Sequence, residues 1–416
     1  MTRMWRRGVA LVAALAATEG AEALACGGCF APPGAVTVVT DHRMAFSMSA
    51  TQTTLWDQFA FTGRASEFSW ILPIRYAPSV RVALADERFL TFLHNLSVPS
   101  LTPPYVPFPS CGMFPSADAG AVFDSAASDV GVTVYREETV GPYAVAILGG
   151  SDPMAVRDWL SANGFTVPTA VAPVLDYYVG LRMDFVALRL RAGATTGMIT
   201  PVRVTVPGAT PSLPLRMIAA GIADRVGLSL MVLAPSRVEA MNFPNGEVRE
   251  SELTYDFASP TDPSRDFLDA FNRLNAANGQ RLWLTESSFS LARTTLDFLA
   301  MTAPPLLRDG GVSSSDDSGV GVMPDLREDI SVAFDGLGAS ARLTRMRADM
   351  PAAMLDRDLL LAASDNTAER SRSYSYGVVR NRPPPPTCPD AGDWIDASPP
   401  LDAAKHEGVA ISHFWD

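Results

Sequence analysis

Four cysteines, four histidines and a scatter of carboxylates are the groups in this 416-residue chain that could do chemistry. Cys26 and Cys29 form a Cys-Gly-Gly-Cys unit, the spacing of redox pairs and of half a zinc site. A low thiol pKa needs a helix N-terminus or a nearby cation, and the pair stands at the end of an apolar leader instead. Zinc would need a second CxxC or paired histidines, and the sequence supplies neither. With Cys111 and Cys388, which sit in proline-rich stretches, the pair reads as disulfide-forming, and four cysteines allow three connectivities. His42 stands between Asp41 and Arg43, and an Asp-His pair can orient a general base. Neighbours on a strand point to opposite faces, so the expected role of His42 is an ordinary surface or hydrogen-bonded side chain. His94 follows a helical pattern beside Asn95, with placement on the surface or at a helix end expected. His406 and His413 do not form the HExxH arrangement of a zinc hydrolase.

The acids Glu67, Asp184, Glu239, Glu252 and Glu286 lie in or near strand patterns. A glycosidase would need two of them about 5–9.5 Å apart; the expectation is strand ends and solvated faces. Asp316-Asp317 lies in a serine-rich stretch without the spaced oxygen ligands of a calcium loop. The chain contains no G-x-S-x-G elbow, no P-loop and no G-x-G-x-x-G turn. Trp56, Trp70, Trp159 and Trp283 are embedded in apolar alternation or a helix face, which predicts core packing. No catalytic, cofactor-binding or metal-ligating residue is therefore nominated.

The first residues give an address. Arg3, Arg6 and Arg7 precede the apolar run Val9–Ala17, and Ala23-Leu24-Ala25 meets Cys26. This is the pattern of a secretory signal peptide with cleavage after Ala25, and Val9–Ala17 is too short to span a bilayer, which takes about 20 residues. Lipidation of Cys26 is disfavoured because Ala23 stands where that signal prefers a large aliphatic residue. The expected compartment is the periplasm, the outer surface or the medium. The formal net charge of −12 makes nucleic acid and anionic lipid poor partners. No transmembrane segment is expected in the mature chain, and a partner in the envelope or outside the cell is.

Strand patterns dominate the rest. Ala35–Thr40, Met44–Ala50, Thr54–Thr62, Glu67–Ile74, Val132–Glu138, Tyr143–Leu148, Met183–Leu190, Val202–Val206, Leu215–Ala219, Leu228–Ala234, Arg281–Thr285, Ala341–Arg347 and Leu359–Ala362 alternate or run apolar for strand lengths. Helices are predicted over Asp86–Leu96, Met154–Ala162 after the Asp152-Pro153 cap, Pro263–Ala277 and Asp325–Leu337. Strands without strict alternation predict an α+β fold of mostly antiparallel sheets with a few packed helices, Pro/Ser-rich loops and an irregular C-terminal tail. Composition divides the chain into a signal peptide (1–25), a β-rich part (26–97), a Pro/Ser/Ala-rich loop (98–131), a central α+β part (132–307), a flexible linker (308–324), a helix and strands (325–362) and a Pro-rich tail (363–416).

Several phrases carry a family likeness in order. Asp41-His-Arg-Met-Ala-Phe46, Gln52-Thr-Thr-Leu-Trp-Asp57, Glu67-Phe-Ser-Trp-Ile-Leu-Pro73, Gly141-Pro-Tyr143 and Asp158-Trp-Leu160 come first. Asp184-Phe-Val-Ala-Leu-Arg189, Pro201-Val-Arg203, Pro214-Leu-Arg-Met217, Asn242-Phe-Pro244, Leu282-Trp-Leu-Thr-Glu286 and Leu343-Thr-Arg-Met-Arg347 follow. The set resembles the secreted bacterial family known as domain of unknown function 2330, over about residues 26–362. The resemblance implies export and brings no activity, cofactor or catalytic residue. The expected function is non-enzymatic binding or structural association in the cell envelope; the alternative is a secreted hydrolase using carboxylates or His42.

Overall fold

The computed structural model describes residues 29–30, 41–58, 68–106, 137–165, 167, 171–194, 199–222, 224–303, 324–384 and 409–410. The predicted leader and its cleavage point, Cys26, Cys111, Cys388, Glu67, Asp316, Asp317, His406 and His413 lie outside these residues, as do the side chains of Cys29 and His42.

The fold is α+β, built on two sheets laid face to face, the larger mixed but mostly antiparallel and the smaller antiparallel throughout. The larger runs Asn245–Gly246, Trp283–Ala292, Ser340–Pro351, Arg225–Ala234, Asp41–Met48, Gln52–Gln58, Val202–Pro207, Arg81–Leu84. Its centre is the stretch predicted as a buried strand: Arg225–Ala234 pairs antiparallel with Ser340–Pro351 and parallel with Asp41–Met48. The smaller sheet runs Cys29–Phe30, Ser69–Ile74, Asp184–Leu190, Tyr143–Leu148, Glu137–Val140.

Alternation along each strand sorts the side chains into layers. Met44, Phe46, Leu230, Val232, Met346 and Ala348 face the smaller sheet, whose Trp70, Val145, Val186 and Leu188 meet them in the principal core. The opposite face of the large sheet presents Ala45, Trp56, Met231, Leu233 and Leu343 to helices Glu87–Ser97, Arg293–Thr302 and Leu326–Ala333. The outer face of the small sheet presents Ile71, Ala146, Phe185 and Ala187 to helices Pro153–Ala162 and Ala172–Gly180. Four layers result, helices outside and sheets within. A satellite core forms where helix Pro263–Ala277 packs Phe267 and Phe271 against Leu101, Leu284, Tyr374 and Tyr376.

Helix starts follow the expected chemistry: Asp86, Asp152, Asp262 and Asp325 each accept the amide N–H two residues on. Four segments differ from expectation. Leu215–Gly221 is helical, not a strand. Pro214 precedes it, and Leu215 and Ile218 at helical spacing face the principal core while Met217 faces the outer one. Helices Ala172–Gly180 and Arg293–Thr302 were not marked by sequence; they expose Tyr177, Phe298 and Met301 and so blur the apolar stripe. Past residue 362, Tyr374 and Tyr376 are buried, and Ser373–Ser375 pairs in parallel with Ser100–Thr102. Among the described residues no helix is long and apolar enough to cross a membrane.

Candidate functional site

The phrases that carry the family likeness are far apart in sequence, yet five of them converge on the helix-facing side of the large sheet. Sheet register brings them together. Arg43 lies opposite Gln58 on one side and Ser229 on the other, and Ser229 lies opposite Arg347. This is one polar row, Gln58–Arg43–Ser229–Arg347, across four strands. Arg345, two residues along and on the same face as Arg347, lies opposite Met231 in the next row. Glu286 enters through a register shift between Thr285 and Ser287, where strand Trp283–Ala292 carries one residue more than its partner. That insertion places a carboxylate, fully buried, between two arginines.

Arg345 Nε donates to Glu286 Oε2 at 2.5 Å, and Arg347 Nε donates to Glu286 Oε1. Glu286 and Arg345 are each 0% exposed. Burial alone would raise the Glu286 carboxyl, but the Arg347 and Arg345 charges outweigh it and hold the group below its ordinary value. Helix Glu87–Ser97 closes the cluster from above. Its His94 is buried in the last turn and accepts from Arg345 Nη1 through Nδ1 at 3.3 Å, which leaves Nε2 as the protonated nitrogen. Burial, then the charges of Arg345, Arg43 and Arg347, pull His94 down to about 3. At neutral pH the ring is uncharged and a weak base. From the other side Tyr374 donates its hydroxyl to the Glu286 carbonyl oxygen at 2.5 Å. The cluster thus fills the seam between the core under helix Glu87–Ser97 and the satellite core.

Charge and satisfaction are uneven here. Arg43 Nε donates to neutral Gln58 at 2.6 Å, and Gln58 passes a hydrogen bond to exposed Glu87 at 2.9 Å. Burial lowers the Arg43 guanidinium to about 10, with Arg345 adding to the fall and Glu87 opposing it. Among the described residues the cluster holds three guanidinium groups against Glu286 inside and Glu87 at the rim. Two of its buried polar atoms, Arg345 Nη2 and Ser229 Oγ, have no hydrogen-bond partner among the described residues. Guanidinium donors with a hydroxyl beside them are the usual furniture of an oxyanion site.

A second polar node on the same face is complete. Asp329 accepts from Trp56 Nε1 at 2.8 Å, Arg203 Nη1 at 2.8 Å and the Asp86 amide at 2.7 Å. It ties two helices to the sheet, with every acceptor used.

The remaining acids are dispersed. Asp184 accepts from the Ala77 amide, Glu239 from Ser364 Oγ at 2.6 Å, and Glu252 from the Arg249 amide at 2.7 Å. Each serves a local fold contact, and no two of the described acids named from sequence share a partner. His94 stands at the helix end, one of the two expected placements, but it is buried there because the helix face it shares with Leu90 turns inward. Trp56, Trp70 and Trp283 are core residues as predicted, whereas Trp159 is only half-buried. Sequence reading passed over Arg43, Ser229, Arg345 and Arg347. The signal available was Arg345 and Arg347 at period two in a central strand, which puts two cations on one face of a buried element.

The fold and this site define an α+β protein with a buried arginine-rich cluster on its central sheet. A model of the family described as "Uncharacterized protein conserved in bacteria", domain of unknown function 2330, matches residues 20–298. The chain belongs to that family. No curated protein and no solved structure matches it.

Proposed function

We propose that this chain is an exported envelope protein that works by binding, and that its ligand is a small oxyanion held by Arg43, Ser229, Arg345 and Arg347. The observation that carries the reading is the pair of buried atoms, Arg345 Nη2 and Ser229 Oγ, that have no partner among the described residues, beside the guanidinium groups of Arg43 and Arg347. A buried donor left unmade costs about 1–3 kcal/mol, more when it is charged, and an oxyanion accepting from both removes that cost. Arg43 and Arg347, 8% and 5% exposed, retain the contact with solvent that fully buried Arg345 lacks. A hydrolytic reading finds less support, since Glu286 is clamped between guanidinium groups and His94 is too weak a base to take a proton near neutrality. Export rests on the basic, apolar, Ala-x-Ala leader, and the oxidised state of Cys26, Cys29, Cys111 and Cys388 belongs to the same reading.

Calorimetric titration of the mature protein with inorganic phosphate, sulfate and acetate tests the ligand. Saturable binding of at least one, weakened tenfold or more in Ser229→Ala and Arg43→Met, is the expected result. Absence of heat for all three up to about 10 mM, which detects a site worth about 3 kcal/mol, overturns it. Fractionation tests the address: protein from the envelope or medium starts at Cys26 with no titratable thiol. Intact Met1 on cytoplasmic protein with free thiols overturns export.

A further inference from the structure

A separate cleft of about 240 Å³ opens on the outer face of the small sheet, at its Glu137–Val140 edge. Its floor is set by register. Arg189 lies opposite Ala144, which lies opposite Thr139, and Ala187 lies opposite Ala146, which lies opposite Glu137. Ala146 and Ala187 belong to the core under the outer helices, so alternation turns all six side chains to that face. Two methyl groups, Ala144 and Ala146, occupy the middle of these rows and leave a hollow between the longer side chains.

The wall is the end of helix Pro153–Ala162. Gly164, at φ 77°, reverses the chain, and the Phe165 amide returns to the Leu160 carbonyl at 2.9 Å. Phe165 then stacks beneath half-buried Trp159, with ring centroids 6.2 Å apart and planes 29° apart. Arg189 lies against the same Phe165 ring, its Cζ 5.8 Å from the centroid. Its guanidinium makes no hydrogen bond or ion pair among the described residues.

We propose that this cleft binds one saccharide ring of a glycan. Sugar hydroxyls donate and accept at once, so they need an acceptor and a donor on facing walls, here Glu137 and Arg189 with Thr139. The C–H face of the ring needs an aromatic surface, which Trp159 supplies. Mixed charge argues against the simpler ligands: Glu137 and Glu138 oppose a free anion, and Arg189 opposes a free cation. The volume lies at or below the small end of ligand pockets, roughly 300 Å³, and suits one ring rather than a peptide.

The experiment is titration of the full mature protein with maltotriose, cellotriose and the trimer of N-acetylglucosamine, read by calorimetry and tryptophan emission. One of the three binds saturably and shields Trp159 from N-bromosuccinimide. Trp159→Ala and Arg189→Gln each weaken it tenfold or more, while Ser229→Ala, altered at the oxyanion site, binds it as the parent does. The proposal is overturned if no trimer binds, or if binding survives both cleft substitutions unchanged. Because Arg189 is a half-exposed side chain without polar partners, Arg189→Gln folds normally and keeps the test decisive should Trp159→Ala fail to fold.

Discussion

Replacing Glu286 by glutamine removes the carboxylate clamped between Arg345 and Arg347 while keeping its shape. Two guanidinium groups, one of them fully buried, then face an uncharged amide. Breaking a buried ion pair from one side costs about 3–5 kcal/mol, because the surviving charge stays desolvated. The glutamine Oε1 can still accept one hydrogen bond, which places the loss near the lower bound, about 3 kcal/mol. For a domain of this size that is roughly 5–10 °C of melting temperature. Urea unfolding of parent and Glu286→Gln, followed by circular dichroism at pH 7, measures it. The double variant Glu286→Gln/Arg345→Met regains at least about 1 kcal/mol, since an apolar side chain of similar reach needs no counter-charge. A loss under about 1 kcal/mol in the single variant, or no recovery in the double, would refute the claim that Glu286 holds these arginines in the fold.

Three further outcomes follow from the geometry. Burial raises the Asp329 carboxyl to about 6 despite the Arg203 charge and three donors. A folded-state pKa above the unfolded value gives stability that is present below about 4 and lost as pH rises through 6. The stability difference between parent and Asp329→Asn should therefore move toward the parent by about 2 kcal/mol as pH falls from 6 to 4, and a pH-independent difference contradicts it. Gly377→Ala drives a Cβ to 2.5 Å from the Glu250 carbonyl oxygen, where backbone must shift; a cost of about 1–3 kcal/mol is read by thermal melting, and an unchanged melting temperature rejects the contact. Truncation after residue 362 strips Tyr374 and Tyr376 from Phe267, Phe271 and Leu284. The shortened chain should bind a hydrophobic dye and lose cooperative unfolding, and a sharp native-like transition would show the tail to be dispensable.

Period-two alternation made most of the sheets legible, because Met44, Phe46 and Leu230, Val232 report a face directly. The capping aspartates and Gly164 did the same for helix ends. Leu215–Gly221 was misread because seven residues under a Pro214 start show barely two turns, too few to separate a period of 3.6 from a strand. The site was written in recognisable phrases, but its assembly was not. Glu286 turns inward only through a register shift, and neither bulges nor strand partners are visible in local pattern. The position of His94 at a helix end is legible in the sequence, but its burial is not, because one helix turn carries no information on what lies opposite it. Trp159 was assigned to the core since a helix face does not reveal where the neighbouring sheet stops.

The parallel contact at the heart of the large sheet has a consequence for how this molecule is made. Arg43 meets Ser229 about 190 residues later along the chain, and Arg225–Ala234 is flanked on its other side by Ser340–Pro351. Such distant pairing is slow to form, since a long loop must close before any contact rewards it. The edge of strand Asp41–Met48 turned away from its hairpin partner Gln52–Gln58 therefore waits for Arg225–Ala234. The central sheet of a chain of this design closes only once Ser340–Pro351 has been made and laid beside Arg225–Ala234.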